Sequence, residues 1–293
     1  MGISYYPGCT MKTSATNYES SALAVAKALG IEIKEMDDWN CCGVVATLAS
    51  DALMHQLAPV RNLIRIQEKG EDQVLVMCDM CYNTLRQAEE FITKNPDKLE
   101  TINQFMDREG HDYKGGVKVI HFLQYLRDEI GVDRIKKRVK KKLKGLKVVP
   151  YYGCMLLRPQ ECAIDDQEEP TVIKELMEAA GADVVDNPYK IECCGSYNTV
   201  NEKEIVAKRT HRIVDNAKKA GGELIVLSCP LCRFNLDNRA TLAKEMFPDF
   251  EPLPVMYYTQ LLALAFGLGP DILGLEKHSV DPRPLLKEKG LLE

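Results

Sequence analysis

Ten of the eleven cysteines fall into two sets with matching spacing. Cys9, Cys41, Cys42, Cys78 and Cys81 read C-x31-CC-x35-C-x2-C; Cys154, Cys193, Cys194, Cys229 and Cys232 read C-x38-CC-x34-C-x2-C. Only Cys162 is left over. In a small secreted domain so many thiols would suggest a disulfide framework. This chain has 293 residues and an odd cysteine count, so metal binding or redox chemistry is the better reading. A bridge within either adjacent pair is also poor geometry, because neighbouring Cα atoms lie about 3.8 Å apart and bridged cysteines want roughly 4.4–6.8 Å.

A structural zinc ion takes four tetrahedral ligands. An ordinary cubane iron–sulfur cluster takes four cysteines, often in C-x2-C-x2-C runs, and no such run occurs here. Five thiolates exceed either need. Two thiolates on neighbouring residues could reach different irons, or one could bridge two. Gly43 and Gly195, directly after the pairs, let the backbone turn tightly and come close to a metal. No GxGxxG or GxxxxGK[ST] stretch supports a nucleotide site.

The segments between the cysteines repeat as well, the mark of a duplicated domain. YYPGC leads into the first set and YYGC into the second, and VIHFLQYL at 119–126 resembles VMYYTQLL at 255–262. Residues 2–6, 31–36 and 73–78 read as strands, as do 147–152, 182–186 and 223–229. Residues 16–29, about 46–69, 169–180 and 198–220 read as helices, the first ended by Gly30 and the third by Gly181. The order β-α-β-α-β-α in each half predicts an α/β fold with a parallel sheet covered by helices. All cysteine motifs then lie past the C-terminal ends of strands, the rim where such sheets bind ligands. Two such Rossmann-like halves related by a pseudo-twofold are expected, over 1–133 and 146–293. Between them RIKKRVKKKLKG, 134–145, reads as an amphipathic linker helix, with Ile135, Val139 and Leu143 on one stripe. Its eight basic residues are read as a solvated face, with a docking surface for an acidic partner as the alternative.

The net charge of −5 speaks against nucleic-acid binding. No apolar run is long enough for a membrane span, and the N-terminal residues lack a signal-peptide pattern. The expected location is the cytoplasm.

CCG preceded by a distant cysteine and followed by CxxC, present twice, resembles the cysteine-rich CCG domain. In length and double copy the chain is similar to the B-type subunits of the heterodisulfide reductase of methanogenic archaea. That resemblance implies two non-cubane [4Fe-4S] clusters, one per CCG motif, acting on the mixed disulfide of coenzyme M and coenzyme B. All ten motif cysteines carry over as ligands at the catalytic site; Cys162 inherits no role, and zinc in one half is the alternative. The implied partners are the reductase's A-type component, which bears flavin, its C-type component, which carries cubane clusters, and a hydrogenase or formate dehydrogenase. CCG domains also occur in glycolate and lactate oxidation complexes and in sulfur-oxidation relatives, so an electron-transfer subunit of such a complex stands as the alternative function. Pro230 in the second CxxC, where the first has Asp79, makes the two sites unequal in polarity. His121 is expected to be a core or surface residue, with proton donation as the alternative. Tyr5, Tyr6, Tyr151 and Tyr152 divide between strand core and cavity wall. Lys12, Arg158, Lys190 and Arg233 lie near the motifs as candidates to meet the substrate's anionic groups.

Overall fold

Short apolar, β-branched runs become the strands. Ile3–Tyr6 (β1), Ile33–Glu35 (β2), Gln73–Val76 (β3) and Lys118–His121 (β4) form one parallel sheet in the order β2-β1-β3-β4. Lys147–Pro150 (β5), Asp183–Val184 (β6), Leu224–Leu227 (β7) and Val255–Tyr257 (β8) form a second in the equivalent order β6-β5-β7-β8. The computed structural model describes residues 2–44, 53–107 and 110–293. The central strands β3 and β7 are almost wholly buried, as parallel strands covered on both faces must be. In each sheet the chain reverses its winding between the first and third strands of the half. The loops leaving those two strands diverge and open a crevice. YYPGC follows β1 and MCDMC follows β3, so the fold places both sides of the first cysteine set at that crevice; YYGC and SCPLC do the same in the second half.

Helices Thr16–Ala28 and Val172–Ala179 end at Gly30 and Gly181 as expected. Four sequence expectations differ from the structure. Each sheet has a fourth strand, β4 or β8, made from the repeated segment 119–126 or 255–262. The helix expected over 46–69 is seen as Met54–Glu68, and residues 45–52 lie outside the described residues. The stretch 198–220 is two helices, Asn198–Asn201 and Lys203–Lys219, separated at Glu202. The basic segment is helical only over Val132–Arg138, and Val139 turns into extended backbone.

The reason for that last difference is tertiary. Arg134 and Arg138 donate to Leu29 O and Ala28 O at the end of helix Thr16–Ala28. Past the helix, the N–H groups of Lys140 and Lys141 reach Ala265 O, the last residue of helix Tyr258–Ala265, and Leu143 N–H reaches Ala180 O, at the end of Val172–Ala179. One short basic stretch thus caps three helix C-termini, where orphan carbonyls and the helix dipole both favour donors and positive charge. A continuous helix over 134–145 would have used those N–H groups internally.

The halves interlock. Helix Thr16–Ala28 of the first packs on Tyr258–Ala265 of the second. Tyr18 stacks on Tyr257 with ring centroids 4.3 Å apart, and the buried hydroxyls of Ser21 and Thr259 meet at 2.7 Å. Asn83 donates to Met155 O and Arg158 O, and Tyr82 to Cys162 O, tying the CxxC helix of the first half to the loop after Cys154. Ile135 is fully buried in the connecting helix. Replacing it by alanine should cost about 2–5 kcal/mol in chemical unfolding, as expected for a cavity at a site that cannot collapse.

Candidate metal centre

The structure gathers the ten motif cysteines into two equivalent strings. All are free thiols. In the first half Cys9, Cys41, Cys42, Cys81 and Cys78 form a string, in that order, in which each thiol shifts the ionisation of the next. In the second the order is Cys154, Cys193, Cys194, Cys232 and Cys229. The sulfurs of Cys9 and Cys41 are 4.0 Å apart. Each string runs from a more open end at its first two members to a buried end at its CxxC. Cys162 is buried elsewhere and belongs to neither string.

Backbone positions each string. Cys78 and Cys229 sit just before the helical turns that begin at Asp79 and Pro230, with nearly identical dihedrals (φ −83°, ψ 122° and φ −84°, ψ 122°). Backbone N–H groups of these turns face both sulfurs, those of Met80 and Cys81 helping to lower Cys78 and that of Cys232 opposing the burial that leaves Cys229 raised. Gly8 and Gly153, before the first cysteines, have positive φ. A Cβ on Gly8 would stand 2.8 Å from Cys81 Sγ, and one on Gly153 would stand 3.2 Å from Cys232 Sγ. Only a residue without a side chain lets this backbone lie against the far end of the string.

Of the four tyrosines, Tyr6 and Tyr151 serve the site. Tyr6 donates to Asn40 O at 2.8 Å and Tyr151 to Glu192 O at 2.5 Å, the residues immediately before the two cysteine pairs. Burial, then the neighbouring cysteine charges, hold both phenols protonated and thus as donors. Tyr5 bonds Glu19, and Tyr152 accepts from Lys174 N. The alternation of strand side chains separates the two uses.

Sequence reasoning missed the residues that brace the cysteine pairs. Asn62 and Arg65 hold Asn40 in the first half. In the second, Asn235 donates to Cys194 Sγ at 3.3 Å and Arg209 to Cys193 O at 3.1 Å. They differ between the halves, so no repeat marks them. The four candidate cations are all engaged within the chain. Lys12 pairs with Glu19 and Glu35, Arg158 with Glu168, Lys190 with Glu169 and Asp186, and Arg233 with Asp237. His121 is buried, with Leu123 N–H donating to its Nδ1 and its Nε2 2.9 Å from Met77 O.

Among the first four sulfurs of each string, the first member of the adjacent pair carries the anion most readily. Cys41 is lowered by donation from Cys42 and Cys9, and then by the Gly43 N–H. Cys193 is lowered by Cys154 and Cys194, with the Gly195 N–H 3.4 Å from its sulfur. Cys42 and Cys194 are raised, chiefly because their neighbours already hold the charge. Among the described residues no three His, Cys, Asp or Glu side chains converge on a single ion-sized point.

The two strings approach each other. The largest influence on Cys229 is its contact with Cys232, which lowers it, but burial and then the charges of Asp79 and Cys78 of the first half leave it raised. A small cavity is lined by Asp79 and Met80 of the first half and by Cys154, Cys194, Cys229 and Cys232 of the second. Tyr197 of the second half comes within 3.5 Å of Val44 O, just past the first CCG.

The cysteine-rich CCG domain model matches residues 3–86 and 148–237. The chain belongs to this family and carries two copies of its domain. It is 31% identical to an 8-methylmenaquinol:fumarate reductase membrane anchor subunit of Wolinella succinogenes, covering 96% of this chain and 98% of the relative. It is 30% identical to the B subunit of a ferredoxin:CoB-CoM heterodisulfide reductase of Methanosarcina mazei, covering 95% and 93%. A protein of Archaeoglobus profundus described as like the B subunit of heterodisulfide reductase is 31% identical over 90% of each chain. A solved hypothetical protein from Helicobacter pylori shares the fold, with a TM-score of 0.75 at 11% identity over 95% of this chain and 51% of that one. Among the described residues no helix is long and apolar enough to cross a membrane.

The thiol electrostatics have a direct consequence in metal-free protein. Cys41 is exposed and held toward thiolate, whereas burial pushes Cys162 up to about 11. Iodoacetamide should alkylate Cys41 fastest, with a rate nearly flat between about pH 6 and 8, since a lowered thiol is already ionised there. Cys162 should label slowly and faster only as pH rises, which peptide mass spectrometry can follow.

Proposed function

We propose that this chain is the disulfide-reducing subunit of a multi-subunit oxidoreductase, and that its ten motif cysteines hold two non-cubane [4Fe-4S] clusters, one per half. The division at 1–133, 134–145 and 146–293 and a cytoplasmic location belong to the same reading. The substrate is the coenzyme M–coenzyme B heterodisulfide, and the electron-supplying partners are subunits of the A and C type. The donor set supports iron–sulfur binding over zinc: five thiols per half, strung out rather than convergent, with the backbone at Gly8 and Gly153 pressed against the sulfurs. The names of the Methanosarcina and Archaeoglobus relatives support the substrate class.

One observation carries the disulfide chemistry: the two CxxC turns meet across the interface, where Ser228, next to Cys229, donates to Asp79, between Cys78 and Cys81, at 3.0 Å. Clusters bound there would supply electrons one at a time, and a disulfide needs two. A sulfur–sulfur bond is about 2 Å long, so a substrate attacked from both halves must lie where they meet. The chain's own part is to hold that meeting rigid. Tyr6 and Tyr151 fix the cysteine-pair loops, Asn83 ties the first CxxC helix to the loop after Cys154, and buried apolar packing restricts water. Substrate anions must find donors other than the four cations already paired.

A second reading is favoured by the Wolinella relative, whose identity and coverage match those of the reductase subunits. In it the chain passes electrons within a respiratory complex and touches no disulfide. Turnover separates the two. Anaerobically prepared protein should contain iron and sulfide, and reduced protein should be oxidised by the heterodisulfide. Cys42→Ser or Cys194→Ser should each remove about half the iron and abolish disulfide reduction, while Cys162→Ser should spare both. Near-normal turnover by either single-site variant would contradict the paired chemistry. Iron-loaded protein that no disulfide oxidises would favour the electron-transfer reading.

A further inference from the structure

The connection between the halves has no Asp or Glu from Arg134 to Gly145. Arg134 and Arg138 use their guanidinium donors on Leu29 O and Ala28 O. Six lysines remain: Lys136, Lys137, Lys140, Lys141, Lys142 and Lys144. All six are exposed. Among the described residues none of their ammonium groups has an ion pair or a hydrogen bond within the chain. Lysines on other surfaces do: Lys94 meets Glu90, Lys219 meets Asp215 and Lys289 meets Glu223.

The helix ends beneath the segment do not account for so much charge. A helix C-terminus carries roughly half a negative charge, so three of them sum to about one and a half. The two arginines already exceed that. Six further like charges between Lys136 and Lys144 repel one another. They are also held in place. The N–H groups of Lys140 and Lys141 donate to Ala265 O. A Cβ on Gly181 would stand 2.9 Å from Lys142 Cβ, and one on Gly267 would stand 3.4 Å from Lys140 Cδ. Both lysine stems therefore lie over bare backbone at helix ends, with their charged heads in water.

The position is as informative as the charge. Crossover helices run back against the parallel strands they connect, so their C-termini lie at the N-terminal edge of the sheets. The segment leads straight into β5 at Lys147. The cysteine motifs follow the opposite, C-terminal strand ends. The cluster thus lies at the end of the molecule away from both thiol strings, where it meets no substrate anion.

We propose that this lysine cluster is the docking surface for a partner protein that presents a patch of carboxylates, seated on the sheet edge remote from the cysteines. This rests on the reading of the chain as one subunit of a larger oxidoreductase. A bilayer-binding patch adds apolar side chains that enter the lipid, and among the described residues the exposed large apolar side chains, Met54, Phe105, Val200 and Ile205, all lie outside the segment. The net charge of −5 opposes approach to an extended polyanion, whereas a protein patch can meet the lysines alone. A charge pattern fixed by its own backbone gives up little freedom on pairing.

The test uses the chain isolated with its partner from the cells that make both. A carbodiimide joins an ammonium to a carboxylate only where the two touch. Peptide mass spectrometry should find lysines of the cluster joined to Asp or Glu of a co-isolated protein. Replacing all six lysines by Gln should leave circular dichroism and the thermal midpoint unchanged, because their side chains hold nothing within the chain. That variant should bind the purified partner about tenfold or more weakly at low salt, the low end of what six exposed ion pairs give together. The difference should shrink as salt rises. Lys94→Gln with Lys219→Gln should leave the affinity as it was. Equal affinity in the six-lysine variant, or cross-links from other surfaces only, would overturn the proposal. So would lysine-dependent binding of the intact complex to vesicles of phosphatidylcholine and phosphatidylglycerol, which would show the patch open to lipid. A wild-type chain isolated alone would overturn the multi-subunit reading and the proposal with it, a distinct result.

Discussion

Five sulfurs from three loops must meet at the rim of a four-stranded sheet, and the structure depends on the close approach that allows it. The tightest point is Gly8 against Cys81, repeated as Gly153 against Cys232. There the loop leaving the first strand touches the helical turn leaving the third. Parallel strands bring those loops together only at the switch point, which explains why the order β2-β1-β3-β4 recurs as β6-β5-β7-β8. The adjacent cysteines then close each string from the side, held by one tyrosine hydroxyl on the preceding carbonyl.

Duplication supplies two such rims, and the interface makes them one assembly. The halves exchange helices rather than merely touching: Thr16–Ala28 packs on Tyr258–Ala265 and the connecting helix on Val172–Ala179. The basic connection is part of this lock, since its donors serve the carbonyl ends of three helices from both halves. Positive charge that looked available for a partner has an internal use on Arg134 and Arg138.

Much of this was legible in the sequence where the signal is local. The strands β3 and β7 and the helix ends at Gly30 and Gly181 are patterns within a few residues, and the structure has them as read; the long cysteine spacings were legible because they occur twice. What failed needed partners far along the chain. The helix at 134–145 stops at Arg138 because its next N–H groups serve Ala265 and Ala180. Lys12 and Lys190 looked free, yet each is bracketed by two carboxylates of its own half. Tyr5 and Tyr6 are neighbours with opposite duties, because successive strand side chains point to opposite faces. The Asp79–Ser228 bond spans 149 positions and has no counterpart in the repeat to reveal it.

The central claim is that both thiol strings hold iron and face one another across the interface. Anomalous diffraction from crystals grown without oxygen, with data on both sides of the iron and zinc absorption edges, measures this directly. Two iron peaks are expected, one enclosed by Cys9, Cys41, Cys42, Cys78 and Cys81, the other by Cys154, Cys193, Cys194, Cys229 and Cys232, opening toward a common cavity. Zinc peaks at either string, or iron in only one half, would contradict it.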